Sequence, residues 1–336
     1  MTIARSRSAD QIQTTHVEPA IRALLDRLDP GNRLVGGYQL GYWNADESPA
    51  DCQGKGLRPA LALLSARAAG ATPEAGVPAA AAVELAHNFS LLHDDVMDGD
   101  TERRHRPTAW TVFGVGPAIL AGDALIGLAY EALAEVPGGR PAAQRLAVDV
   151  RALVAGQAAD LSFERRDDVT LDECLRMAAD KTGALLASSC ALGAVLYGGP
   201  PGLIDGLSRF GRHLGLAFQL VDDLLGIWGA PQRTGKPVGS DLRARKRTVP
   251  VVLAVTGGDR AGRSLAELYR SPAPLTDDDV VRASALIEAA GARERTEQWA
   301  WQEAERARAE LDALDLPDDV RGEFLDIATF ITGRDH

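Results

Sequence analysis

Residues 77–98 read VPAAAAVELAHNFSLLHDDVMD. Leu85, Phe89, Leu92 and Val96 recur at four- and three-residue steps, the period of a helix with one apolar face. The run closes on three carboxylates, Asp94, Asp95 and Asp98, at i, i+1 and i+4. On a helix, i and i+4 lie one turn apart on one face, so Asp94 and Asp98 converge. Two like charges so placed repel, and the arrangement is costly without a cation. Taken alone, the cluster reads equally well as a polar helix end or as a cation site.

Outward from this segment the helical period continues, punctuated by Gly or Pro. The spacing predicts helices near 16–28, 56–70, 77–98, 107–135, 141–165, 171–197, 203–228, 248–257, 275–290, 292–314 and 318–332. No segment shows the alternation of a strand. The expected fold is all-α: a single-domain antiparallel helical bundle over 16–336, preceded by a disordered tail at 1–15. The tail is polar without an apolar stretch, unlike a signal peptide. Segment 229–240, rich in Gly and Pro, reads as a loop.

Composition agrees. Of 336 residues, 46% are hydrophobic and only 5% aromatic, which favours helices over strands. The net charge of −11 argues against a nucleic-acid surface. Cys52, Cys174 and Cys190 are odd in number and lack metal-ligand spacing, which fits a reducing cytoplasm. The uncharged stretch 182–204 should end its helix near Gly198, too short for a membrane span.

A second acidic pair, Asp222–Asp223, closes the apolar run Phe218–Gln219–Leu220–Val221. It lies 128 residues after the first pair (222 − 94), as if two facing helices carried the same device. The place four after Asp222 holds Gly226 rather than an acid. Hard carboxylate oxygens without Cys or paired His suit Mg²⁺, which binds one or two carboxylates plus substrate phosphates. Arg103 and Arg104 follow the first cluster; Lys236, Asp241, Arg243, Arg245, Lys246 and Arg247 follow the second. Guanidinium groups bind phosphate oxygens by paired hydrogen bonds. Acids, metal and arginines together describe a diphosphate clamp. The basic run at 243–247 reads either as an anion site or as a solvated loop.

In order, these residues resemble the trans-isoprenyl diphosphate synthase, or polyprenyl synthetase, family from about Gly54 to Pro250. The resemblance is carried by Gly54–Lys55…Arg58–Pro59, Glu84…His87…Asp94–Asp95…Asp98, Arg103–Arg104, Gly122–Asp123, Gln157…Asp160, Lys181–Thr182, Phe218–Gln219…Asp222–Asp223, Gly235–Lys236 and Lys246. It implies an isoprenoid-synthase bundle around a central active-site cavity, working as a homodimer without a membrane span.

It also implies roles. Asp94 and Asp98, supported by Asp95, would ligate Mg²⁺, and Asp222 with Asp223 a third ion of three. Arg103, Lys181 and Lys236 would hold an allylic diphosphate. Lys55, Arg58, His87 and Arg104 would hold isopentenyl diphosphate, and Lys246 would close over the site. Thr182 and Gln219 would place oxygens near the allylic cation. His93 is expected to hydrogen-bond beside the acids rather than ligate. Asp123, in an apolar helix, is expected to be paired or capping.

Three activities compete. A chain-elongating synthase needs two anion sites, and by the resemblance Lys55, Arg58, His87 and Arg104 would supply the second. A terpene cyclase has no use for it. A non-catalytic partner subunit should have lost its acids, and all five remain. Phe89 and Ser90, five and four places before Asp94, match the family pattern for geranylgeranyl diphosphate, with farnesyl diphosphate as the alternative.

Overall fold

The computed structural model describes residues 16–50, 52, 54, 56–230, 238–271 and 273–333. It is all-α, and the described strands are two residues long. The helices are α1 (Glu18–Leu25), α2 (Pro30–Leu40), α3 (Leu57–Ala68), α4 (Val77–Asp98), α5 (Ala109–Phe113), α6 (Val115–Ala134), α7 (Gly139–Phe163) and α8 (Leu171–Ala178). There follow α9 (Ala184–Leu196), α10 (Pro201–Trp228), α11 (Ser240–Arg243), α12 (Val249–Thr256), α13 (Arg260–Arg270), α14 (Asp277–Ala289), α15 (Ala292–Asp312) and α16 (Asp318–Thr332).

The chain forms two compact units. The first comprises residues 1–150, 185–211 and 310–327, the second 151–184, 212–309 and 328–336. The divisions fall inside helices α7, α9, α10, α15 and α16 rather than in linkers.

In the first unit α4 packs mainly on α6 and α3. Leu61, Leu64, Leu85, Leu92, Leu125 and Leu133 are fully buried there. The last turn of α4 stops at Gly99, whose positive φ of 68° and N–H bond to the Asp95 carbonyl make a left-handed cap. In the second unit, Phe163, Leu220, Ile227, Val252, Leu265, Tyr269 and Ile287 share one core.

Several elements differ from expectation. Helices α2 and α13 form where none was expected. Each opens on an aspartate, Asp29 or Asp259, that accepts backbone N–H groups as an N-cap. The helix expected over 107–135 breaks at Gly114, where φ is +96°. The helix expected over 171–197 contains a π turn at Ala179–Gly183. The stretch 182–204 ends its helix at Leu196, before Gly198 with φ of +71°. One described helix, Val115–Ala134, is long and apolar enough to cross a bilayer, with 44% of its apolar window buried.

Residues Glu102–Arg103 and Arg106–Pro107 pair as an antiparallel ribbon, β1 and β2, that the sequence did not signal. Its turn residues, Arg104 and His105, both have positive φ, 54° and 60°. Non-glycine residues seldom adopt that region, and such strain gathers at functional sites.

Candidate active site

The first unit places two sets of residues. On α4, Asp94 and Asp98 are half-buried one turn apart, while Asp95 points inward. The Asp95 side chain is 2% exposed and accepts from Arg103 Nε at 2.8 Å, with Arg103 Nη2 at 2.7 Å. Burial lowers the Arg103 pKa, but the Asp95 hydrogen bond and charge outweigh it and leave it raised. Asp95 therefore anchors the arginine hairpin to the acidic helix.

The hairpin has further anchors. The Arg106 guanidinium stacks on the Tyr38 ring at 4.2 Å, and Tyr38 OH donates to the Pro107 carbonyl at 2.7 Å. Thr108 Oγ1 and Trp110 Nε1 both donate to the Asp100 carbonyl. Arg104, at the tip, lies against Gly54. A Cβ on that glycine would sit 2.8 Å from Arg104 Nη2, so a side chain at 54 would push the guanidinium from its place. Tyr38 lies on α2, and its part in the site had no signal in the sequence.

Arg58 Nη1 lies 3.2 Å from His87 Nε2. Desolvation, with the charges of Arg58, Arg104 and Arg103, pushes the imidazole well below its usual pKa. His87 is thus neutral near pH 7. Arginine can only donate, so Nε2 accepts and the ring proton resides on Nδ1. Ser90 is buried, its Oγ donating to the His87 carbonyl at 2.8 Å. Phe89 is half-buried. Asp123 is not a buried acid: its side chain is 62% exposed, 3.8 Å from His93 Nε2.

The second unit holds a connected polar chain. Thr182 Oγ1 donates to Gln219 Oε1 at 2.6 Å. Gln219 Nε2 donates to Asp223 Oδ1 at 2.8 Å, and the Val249 N–H donates to Asp223 Oδ2 at 3.0 Å. Asp223 is thus buried at the N-terminus of α12, which favours a negative charge. Burial nonetheless raises its pKa to about 7, against the hydrogen bonds from Gln219 and Val249. Asp222, its neighbour, is half-buried.

The π turn carries Lys181, whose Nζ meets Asp160 Oδ2 at 2.6 Å. Three residues before Asp160, Gln157 is buried, and neither of its amide atoms meets a partner among the described residues. The basic run divides. Arg243 pairs with Asp277 at 2.6 Å and Arg247 with Asp167 at 2.8 Å, while Arg245 donates to the Ala273 carbonyl. These three arginines brace the fold, and Lys246 is half-buried beside them. Lys55, Lys236 and the tail at 1–15 lie outside the described residues.

A family model described as polyprenyl synthetase matches residues 46–287. The chain belongs to the polyprenyl synthetase family. A (2E,6E)-farnesyl diphosphate synthase of Mycobacterium tuberculosis is 46% identical over 95% of this chain and 90% of its own length. A geranylgeranyl diphosphate synthase of the same organism is also 46% identical, over 89% of this chain and 87% of its own. The crystal structure of a polyprenyl synthetase from Streptomyces coelicolor A3(2) superposes with a TM-score of 0.90 at 48% identity, covering 96% of this chain and 98% of that one. The chain is a trans-prenyl diphosphate synthase.

Among the described residues of this synthase, no three His, Cys, Asp or Glu side chains converge to hold a metal by themselves. That donor set still fits Mg²⁺, which takes one or two carboxylates and completes its shell with water and phosphate oxygens.

Proposed function

We propose that this synthase makes geranylgeranyl diphosphate as a magnesium-dependent homodimer. The observation that carries the product length is the pair Phe89 and small, buried Ser90 on α4. Five residues of helix rise about 7.5 Å. Phe89 therefore stands about that far below Asp94, where it can stop a growing tail, while Ser90 leaves room beside it. The farnesyl product is the second reading, favoured by the equal identity to a farnesyl synthase.

Asp94, Asp98 and Asp222 would hold Mg²⁺, with Asp95 and Asp223 orienting the residues around them. When bound, the metal offsets the charge that develops on departing pyrophosphate. Arg103, Lys181 and Lys236 bind the allylic diphosphate. Arg58, Arg104, Lys55 and the Nδ1–H of His87 bind isopentenyl diphosphate, and Lys246 closes over the substrates. Thr182 and Gln219 turn oxygen lone pairs toward the allylic cation, and their hydrogen bond fixes that orientation. A pyrophosphate oxygen takes the last proton.

Exposed Val112, Val115, Ile119 and Leu120 on α5 and α6 support the homodimer, because a second copy would cover them. Three free cysteines support a cytoplasmic location. Incubation with labelled isopentenyl diphosphate and each allylic primer, followed by product sizing, tests the assignment. A fifteen-carbon end product would replace it with the second reading.

A further inference from the structure

We propose that His93 is a positioning residue for product length: it holds the Phe89 ring at the floor of the chain pocket. The inference rests on the reading of Phe89 given above. Phe89 and His93 stand four places apart on α4, hence on one face. Side chains on a helix lean toward its N-terminus, so the His93 ring leans back over the turn that bears Phe89. The two ring centroids are 4.9 Å apart at an interplanar angle of 67°, an edge contact.

His93 is itself held from a second helix. Its Nε2 lies 3.0 Å from the Ile119 carbonyl oxygen on α6. A carbonyl only accepts, so Nε2 carries the proton and donates. The ring seats against Gly122, one turn along α6. A Cβ at Gly122 would sit 2.3 Å from His93 Nε2 and 2.5 Å from Cδ2. The bare backbone at 122 is what lets the imidazole reach the Ile119 carbonyl. The result is a fixed order of contacts, from α6 through His93 to Phe89. An aromatic ring on a single helix can swing between rotamers. Phe89 is restrained because its neighbour is tied to another helix. Product length then depends on three positions, two of which never touch the prenyl tail.

The test compares products of the wild type with Phe89→Ala, His93→Ala, Gly122→Ala and the Phe89→Ala/His93→Ala double variant, each with its melting temperature. His93→Ala should raise the fraction one isoprene unit longer several-fold, with turnover close to the wild type. Gly122→Ala should do the same from the other helix, by displacing the imidazole, and it stands in if His93→Ala does not fold. In the Phe89→Ala background, removing His93 should add no further lengthening. If Phe89→Ala lengthens the product while His93→Ala and Gly122→Ala leave it unchanged, the clamp is wrong and the floor assignment stands. If Phe89→Ala changes nothing, both are wrong. Slower turnover in His93→Ala with unchanged products would also overturn the clamp, making His93 a neighbour of Asp94 only.

Discussion

The carboxylate of Asp241 occupies the space that a side chain at Gly226 would need. An ideal Cβ at 226 would lie 2.0 Å from Asp241 Oδ2 and 2.5 Å from Cγ. A side chain at 226 would therefore have to displace the Asp241 carboxylate, and the acid next to that space comes from α11.

Gly226→Asp should consequently lower activity and stability rather than restore a third acid. It sets two carboxylates against each other inside a packed site. Gly226→Ala isolates the steric part. Overpacking costs roughly 1–3 kcal/mol, and about 1 kcal/mol returns because alanine is the better helix former. Thermal melts and turnover of both variants, with and without Asp241→Ala, check this. Removing Asp241 should partly rescue Gly226→Asp. An undiminished or faster Gly226→Asp enzyme would contradict the packing.

Asp94 and Asp223 should fail in different ways. Asp223→Ala strips the acceptor from Gln219 Nε2 and the Val249 N–H, both at a buried site. An unsatisfied buried donor costs about 1–3 kcal/mol, so the melting temperature should drop. Asp94→Ala, half-buried at a helix end, should keep its stability and lose far more activity. Denaturant unfolding beside turnover separates the two, and matched losses of both kinds in both variants would refute the division.

His87 predicts a pH dependence. Its folded pKa lies well below the ordinary 6.5, because of desolvation and the nearby arginines. Below pH 6.5 the unfolded chain takes up this proton while the folded chain does not. Stability from His87 is thus present above that value and is lost as pH falls toward the folded pKa. Urea unfolding near neutral pH and near pH ~5 should show a larger loss in the wild type than in His87→Gln. His87→Ala should also raise the KM for isopentenyl diphosphate more than that for the allylic primer.

Chelation should abolish turnover and added Mg²⁺ should restore it. Asp94 and Asp98 share a helical face, and a divalent ion offsets their repulsion. A fluorescent report of Mg²⁺-dependent pyrophosphate binding gives a readout independent of the reaction, and Asp98→Ala should weaken it. Full activity in excess chelator would rule the proposed chemistry out.

The sequence by itself determined α4, its end at Asp98 and the convergence of Asp94 with Asp98. Helical period, side-chain spacing and a glycine cap are all set by residues within a few places of one another. It also carried the family, through the order of many short motifs. It hid α2, where Gly31, Gly36 and Gly37 depress helix propensity although Asp29 and Pro30 mark the start. Only the tertiary structure decided which acids face inward. Asp95 meets Arg103 because a strained hairpin folds back and is pinned by Tyr38, and Asp223 turns to the start of α12. Asp241 fills the place beside Gly226, and His93 reaches α6 because Gly122 is bare. Each of these is a fit between separate elements, governed by volume and hydrogen-bond direction, and neither leaves a period along the chain.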